Sequence, residues 1–286
     1  MATQVQIEQI IDTALSEDLG RGDKTTELVI PPSLGGTAGI IAREAAMVCG
    51  AEIIRIAFLK VDNTLQIKVN VPDGGRVKPG DVVLVVTGRV SSILKTERVA
   101  LNILSHLSGV ATATAQYIEK VKGLDVKISD TRKTLPGLRL LEKYAVYAAG
   151  GQNHRPDLAS GILIKDNHLT ALSARGISIA DAIAKAKQGG RGMKVEIEVQ
   201  NLDQLKQAIS GGADIIMLDN MSIDDMKKAV KMVPASIKLE ASGGITLDNI
   251  RAVAETGVDV ISIGAITHSA KAIDFNLSFV TGRPAQ

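Results

Sequence analysis

The sequence predicts an α/β protein: an incomplete, open parallel α/β barrel behind an N-terminal mixed α/β sandwich domain. Three observations carry this reading. From Asp125 onward, short apolar strands alternate regularly with helical segments. Before about residue 110 helix and strand mix without such a period. The 286 residues, 45% of them hydrophobic, suffice for a large domain and a smaller one with full cores and no staples.

In the first part, Gln4 to Leu19 reads as an amphipathic helix with Val5, Ile7, Ile10, Ile11, Ala14 and Leu15 along one side. Thr37–Arg43, Leu65–Val71 and Val82–Val90 read as strands. Pro72-Asp73-Gly74-Gly75 and Pro79-Gly80-Asp81 are turn signals between the last two. This hairpin is similar to that of lipoyl or biotinyl carrier domains. No lysine occupies the tight turn that a carrier needs, so the segment reads as a structural sandwich. Ser91 to Val121 is a long, alanine-rich helical stretch that bridges the two parts.

The second part presents Val126–Ser129, Ile162–Lys165, Val195–Val199, Ile215–Leu218, Ile237–Ala241 and Val260–Ile263 as strands. Leu138–Ala149, Ile179–Lys187, Leu202–Ser210, Ile223–Met232 and Leu247–Thr256 are the helices between them. Repeated βα units imply parallel strands joined by right-handed crossovers, closing toward a barrel. Only six strands are evident, so the barrel is incomplete, and a flat doubly wound sheet is the alternative.

Side chains on a strand switch faces at every residue. Val195, Ile197 and Val199 therefore oppose Lys194, Glu196 and Glu198, and Leu239 and Ala241 oppose Lys238 and Glu240. Ile216 and Leu218 oppose Met217 and Asp219 in the same way. The apolar faces suit outer helices, and the others make a small, charged lumen where a structural barrel would carry branched aliphatics. Such a lumen is expected to be wet and to be a site.

Composition excludes several classes. A net charge of +2 and 2% aromatics, with no Trp, argue against nucleic-acid binding. No apolar stretch approaches the length of a membrane span, and no signal peptide is read in Met1 to Ile10. Cys49 is the only cysteine, which excludes a disulfide framework and fits a reducing cytoplasm. No Ser-His-Asp ordering, HExxH or GxxxxGK[ST] is found, so hydrolase, zinc-protease and P-loop readings lack support.

Ligands of parallel α/β folds sit at the carboxyl ends of the strands. Here those ends read Asp130-Thr131-Arg132-Lys133, Lys165-Asp166-Asn167-His168, Glu198, Asp219-Asn220, Ser242-Gly243-Gly244 and Gly264. The last two loops, Ser242-Gly243-Gly244 and Ser262-Ile263-Gly264-Ala265, let backbone N–H groups approach a phosphate, with a helix start near Leu247 adding its dipole. A tight turn alone also explains the glycines. Arg132, Lys133, Arg155 and Lys165 gather at the first strand ends and suit carboxylates and phosphates. His154 can donate to a carboxylate or be an ordinary loop histidine, and Arg139 reads as a surface or capping residue. Glu198 and Asp219 suit Mg²⁺ held together with substrate oxygens, or ion pairs that orient the lysines.

Glu97-Arg98-Val99-Ala100-Leu101-Asn102, Asp130-Thr131-Arg132-Lys133-Thr134, His154-Arg155 and Lys165-Asp166-Asn167-His168 stand in order along the chain. Glu196-Ile197-Glu198-Val199, Leu218-Asp219-Asn220, Glu240-Ala241-Ser242-Gly243-Gly244-Ile245 and Ile261 to Ser269 follow them. Together with Glu17-Asp18-Leu19-Gly20, this set resembles the quinolinate phosphoribosyltransferase family over essentially the whole chain. The resemblance implies a dimer whose protomer has an N-terminal sandwich, residues 1–110, rejoined by about 270–286, and a barrel domain, residues 111–269. It implies transfer of phosphoribosyl from 5-phosphoribosyl 1-diphosphate to quinolinate with decarboxylation, giving nicotinate mononucleotide, CO₂ and pyrophosphate on the way to NAD.

By the same resemblance, Thr131, Arg132, His154, Arg155 and Lys165 hold quinolinate, joined by Arg98 from the partner subunit. Lys133, Glu198 and Asp219 manage diphosphate, ribose and Mg²⁺, and Lys165 shares in the catalytic set. Ser242, Gly243, Gly244, Ile263, Gly264, Ala265 and His268 bind the 5-phosphate. The alternatives are a related phosphoribosyl-transferring enzyme of this fold using another small acid, or a non-catalytic sensor of a phosphate ligand.

Overall fold

The computed structural model describes residues 3–280. Residues 1–2 and 281–286, at the ends of the expected N-terminal domain segments, lie outside the described residues. The chain divides into two units: one runs up to Ala115 and adds Thr134–Gly150 and everything from Ile266 onward, and the other comprises Gln116–Lys133 and Gly151–Ala265. Among the described residues no helix is long and apolar enough to cross a membrane.

The first unit holds helices α1 (Gln4–Leu19), α2 (Lys24–Val29), α3 (Ala51–Val61), most of α4 (Val90–Lys120) and α5 (Arg139–Ala148). Its strands are β1 (Gly35–Ala42), β2 (Ala46–Met47), β3 (Gln66–Val69), β4 (Arg76–Val77) and β5 (Val82–Arg89). The C-terminal strand Phe275–Phe279 pairs antiparallel with β1, followed by β5 and β3. Ile40, Leu84 and Val86 of the sheet pack with Ile54 and Phe58 of α3 and Ile93 and Leu104 of α4 in one core. The Pro72-Asp73-Gly74-Gly75 turn also caps a helix. Asp73 Oδ1 accepts the Gly50 and Ala51 amides at 2.9 and 2.8 Å at the start of α3, an element the sequence pattern did not predict. Arg139 Nε donates to Thr134 Oγ1 at 3.0 Å, a local tie.

The second unit holds strands β6 (Lys127–Ser129), β7 (Ile162–Ile164), β8 (Val195–Val199), β9 (Ile215–Asp219), β10 (Lys238–Ser242) and β11 (Val260–Ser262). Helices α6 (Asp166–Ser173), α7 (Ile179–Gly189), α8 (Leu202–Ser210), α9 (Ile223–Met232) and α10 (Ile250–Ala254) lie between them, and α11 (Ala265–His268) follows β11. The order is β6-β11-β10-β9-β8-β7, and each pair is parallel. The first strand thus pairs with the last and the order never reverses, which is a barrel opened at the seam between β6 and β7. A doubly wound sheet would reverse at a switch point. At the seam, Gln152 bridges to Ser129 of β6. The curvature is visible in side chains: Glu196 of β8 and Glu240 of β10 are two strands apart, roughly 9.6 Å on a flat sheet. Their carboxylates nevertheless share one cluster whose ligand atoms lie within 4.8 Å of one another.

One expected element is shorter than predicted. The helix placed at Leu247–Thr256 begins only at Ile250. Before it, Asn249 Oδ1 accepts the Thr246 amide at 2.9 Å, and Asn249 Nδ2 donates to the Gly244 carbonyl at 2.8 Å. The asparagine side chain satisfies backbone groups that a first helical turn would otherwise engage.

Candidate active site

At the carboxyl ends of the strands lies a cavity of about 290 Å³. Thr131, Arg132 and Lys133 follow β6, His154 and Arg155 come from the seam, and Lys165 follows β7 at the start of α6. Glu198, Asp219 and Ser242 stand at the ends of β8, β9 and β10. Leu163, Met217 and Ser262 complete the lining. The gathering follows from parallel order, which brings every strand's carboxyl end to one rim.

Cations face carboxylates across this space. Ile164 pairs with Ile197, so Lys165 and Glu198 extend from neighbouring strands, and Lys165 Nζ lies 2.7 Å from Glu198 Oε1. Arg155 Nη1 donates to the Gly161 carbonyl at 2.8 Å, while its buried Nε has no hydrogen-bond partner. Burial, and then the positive charge of Arg132, press the Arg155 guanidinium below its usual pKa. Two guanidiniums that repel each other in a partly dry cavity are relieved by a bound anion.

On the opposite side, Asp219 Oδ1 accepts Asn220 Nδ2 at 3.0 Å. Asn220 has a left-handed backbone, φ 55°, and packs directly on Gly243. A Cβ at Gly243, φ +90°, would sit 2.3 Å from Asn220 Oδ1, so close approach to a side chain already requires this glycine.

The Ser242-Gly243-Gly244 and Ser262-Ile263-Gly264-Ala265 loops differ in detail from their sequence reading. The Ile263 amide donates to the Ser129 carbonyl at 3.0 Å and is already engaged inside the barrel. The helix after Gly244 is five residues long and starts at Ile250, so the dipole expected near Leu247 does not stand at this loop. Ser242 Oγ donates to the Ser262 carbonyl at 3.3 Å, and Gly264 and Ala265 follow β11 at the start of α11. His268 ends α11 in the first unit, exposed, with Nδ1 2.6 Å from Ser269 Oγ. Arg98 is an exposed residue of α4, also in the first unit and outside the lining of this cavity.

A group absent from the expected site residues lies one layer deeper. Glu196 and Glu240 are 6% and 4% exposed, with His154 Nε2 3.1 Å from Glu196 Oε2 and 3.7 Å from Glu240 Oε1. Ser262 Oγ donates to Glu240 Oε1. The lumen is charged, as the alternation of side chains required, but at this level it is closed rather than wet. Burial, and then the charge of Glu196, raise the Glu240 carboxyl to about 7. Only this spatial pairing separates these glutamates from other inward residues; the alternation alone marked them as lumenal. In the first unit, burial pushes the Cys49 thiol upward, away from a nucleophile's range.

An open parallel barrel whose strand ends set arginines and lysines opposite carboxylates defines an α/β-barrel enzyme of small, multiply anionic substrates. The family model "Quinolinate phosphoribosyl transferase, C-terminal domain" matches residues 110–278, and the corresponding N-terminal model matches residues 23–108. The chain belongs to the quinolinate phosphoribosyltransferase family. It is 41% identical over 274 residues to a Bacillus subtilis protein named "probable nicotinate-nucleotide pyrophosphorylase (carboxylating)", covering 96% of this chain and 93% of that one. A Mycobacterium leprae nicotinate-nucleotide pyrophosphorylase (carboxylating) is 37% identical, over 93% of this chain and 95% of the other. The solved nicotinate-nucleotide pyrophosphorylase of Francisella tularensis superposes with a TM-score of 0.90 at 40% identity, over 98% of each chain.

Proposed function

We propose that this cavity is where quinolinate meets 5-phosphoribosyl 1-diphosphate. The chain is a phosphoribosyl-transferring enzyme of NAD biosynthesis: it converts these substrates to nicotinate mononucleotide, CO₂ and pyrophosphate. The observation that carries the reading is the convergence of Arg132, Lys133, Arg155 and Lys165 on one cavity that also holds Glu198 and Asp219. A pyridine dicarboxylate needs forked cations, and a sugar diphosphate needs a lysine with oxygen donors beside it.

Arg132, Arg155 and Lys165, with Thr131, hold the two carboxylates and orient the ring nitrogen toward the anomeric carbon, and His154 lines the same cavity beside Arg155. That nitrogen attacks as diphosphate leaves, through a cation-like ribosyl transition state. Lys133 offsets charge on the departing diphosphate. The carboxylate adjacent to the nitrogen then leaves as CO₂, because the newly cationic ring stabilises the carbanion. Positioning is the main contribution of the arginines, and no covalent nucleophile is required. Ser242, Gly243, Gly244, Gly264 and Ala265 hold the 5-phosphate.

Glu198 and Asp219 end adjacent strands and line one cavity with hard oxygen donors, a set that suits Mg²⁺ completed by water and phosphate oxygens. When bound, Mg²⁺ supplies charge neutralisation for the diphosphate. The working enzyme is a homodimer in which Arg98 of the partner subunit reaches the quinolinate; its exposure on α4 and the family likeness support this. A cytoplasmic location agrees with the single, buried cysteine.

Incubating the purified protein with quinolinate, phosphoribosyl diphosphate and Mg²⁺ is expected to yield nicotinate mononucleotide, and nicotinate is expected to fail as a substitute. Bound phosphoribosyl diphosphate without product would reassign the enzyme to another acid.

A further inference from the structure

His154, Glu196 and Glu240 together have the composition of a divalent cation site, and their ligand atoms lie within 4.8 Å of one another. The hydrogen bonds around the imidazole decide against that use. The Arg155 backbone N–H donates to His154 Nδ1 at 2.9 Å, so Nδ1 presents a lone pair and the neutral ring carries its proton on Nε2. That N–H faces Glu196 Oε2 at 3.1 Å. A cation would need the Nε2 lone pair, leaving the ring with no proton at all.

The same bonds lead outward to the substrate. Buried Asp130 accepts the His154 backbone amide at 2.8 Å through Oδ1, which fixes the main chain entering the segment. His154 Nδ1 then holds the Arg155 amide, and the Gly161 carbonyl holds Arg155 Nη1. Ser262, donating to Glu240, keeps the second carboxylate in place. Every link in this chain lies within the barrel unit.

We propose that Glu196 and Glu240 are positioning residues for the acid substrate: they hold the His154 Nε2–H inward, so that Nδ1 anchors the Arg155 amide and fixes its guanidinium at the cavity. His154 is then a strut behind Arg155, and its Nε2 proton belongs to the glutamates rather than to quinolinate. The inference rests on the assignment of this cavity to quinolinate.

Two measurements test it. In the unmodified protein, ¹⁵N NMR of the four histidines, with His154→Gln used to assign the resonance, should show His154 as the Nε2–H tautomer with and without quinolinate. An Nδ1–H tautomer, or an Nε2 proton that shifts to the substrate, overturns the strut. Kinetically, Glu196→Ala should raise the KM for quinolinate by about tenfold or more, the scale of one charge-assisted hydrogen bond. The KM for phosphoribosyl diphosphate should stay within about twofold, and Glu196→Gln, whose carbonyl oxygen still accepts, should recover most of the loss. Equal rises for both substrates, or a glutamine variant as impaired as the alanine one, would mark a merely structural role. Normal quinolinate use by Glu196→Ala sinks the strut alone, whereas an unmodified enzyme that makes no nicotinate mononucleotide sinks the cavity assignment.

Discussion

Glu240 offers a stability experiment whose sign and size follow from its surroundings. Its carboxyl is 4% exposed and faces Glu196, His154 and Ser262, with Glu198 further along β8. Burial and then Glu196 raise it to about 7. The folded protein therefore keeps this proton over a pH range in which the unfolded chain, with an ordinary glutamate value of about 4.3, has released it. Stability from the group is complete below the unfolded value and is lost as the pH rises through about 7. At about 1.4 kcal/mol per tenfold, the gap amounts to roughly 4 kcal/mol. Glu240→Gln keeps the shape and an acceptor for Ser262 but has no proton to lose. The variant should thus gain most of this roughly 4 kcal/mol relative to its parent between about pH 4 and about pH 8. With no Trp and three Tyr, urea unfolding is best followed by far-ultraviolet circular dichroism. An equal difference at both pH values, or a gain confined to acid, would refute the electrostatic account.

Other perturbations address the rim. Arg132→Lys should weaken quinolinate use by about tenfold or more while leaving phosphoribosyl diphosphate binding nearly intact, because the bidentate fork is lost; titration calorimetry with each ligand separates the two, and equal losses contradict the assignment. Gly243→Ala forces a Cβ to 2.3 Å from Asn220 Oδ1 at a positive φ. It should destabilise the protein by about 1–3 kcal/mol and lower kcat through the displaced Asn220–Asp219 bond; an unchanged melting temperature would show that the loop adapts freely. Mixing inactive Arg98→Ala with inactive Lys133→Ala subunits should restore part of the activity through hybrid dimers. Well-exchanged mixtures that stay inactive would argue against a shared site.

Much of the architecture is local and is legible as such. The alternation in Val195–Val199 reports two differently solvated faces, and repeated apolar strands separated by helices require parallel pairing. The polar strand ends then mark the rim, which is why Arg132, Lys165, Glu198 and Asp219 can be named from residue type and position alone. Arg98 has no such signal: on an alanine-rich helix it reads as surface, and only the ordered likeness to a family singles it out. The helix expected from Leu247 starts later because Asn249 turns its amide onto the Gly244 carbonyl, a competition between side chain and backbone that periodicity does not register.

By itself, the sequence determined the βα repeat, the charged inner faces and the identity of the cationic rim, because these depend on residue type and short-range spacing. Tertiary structure alone decided the open barrel over the doubly wound sheet, since pairing of β6 with β11 joins residues far apart in the chain. It also decided that the Ile263 amide serves Ser129, that Gly243 makes room for Asn220, and that His154 turns toward Glu196 and Glu240. These arrangements arise from the curvature that closes the strands around a narrow lumen, and curvature is a property of the assembled sheet rather than of any segment within it.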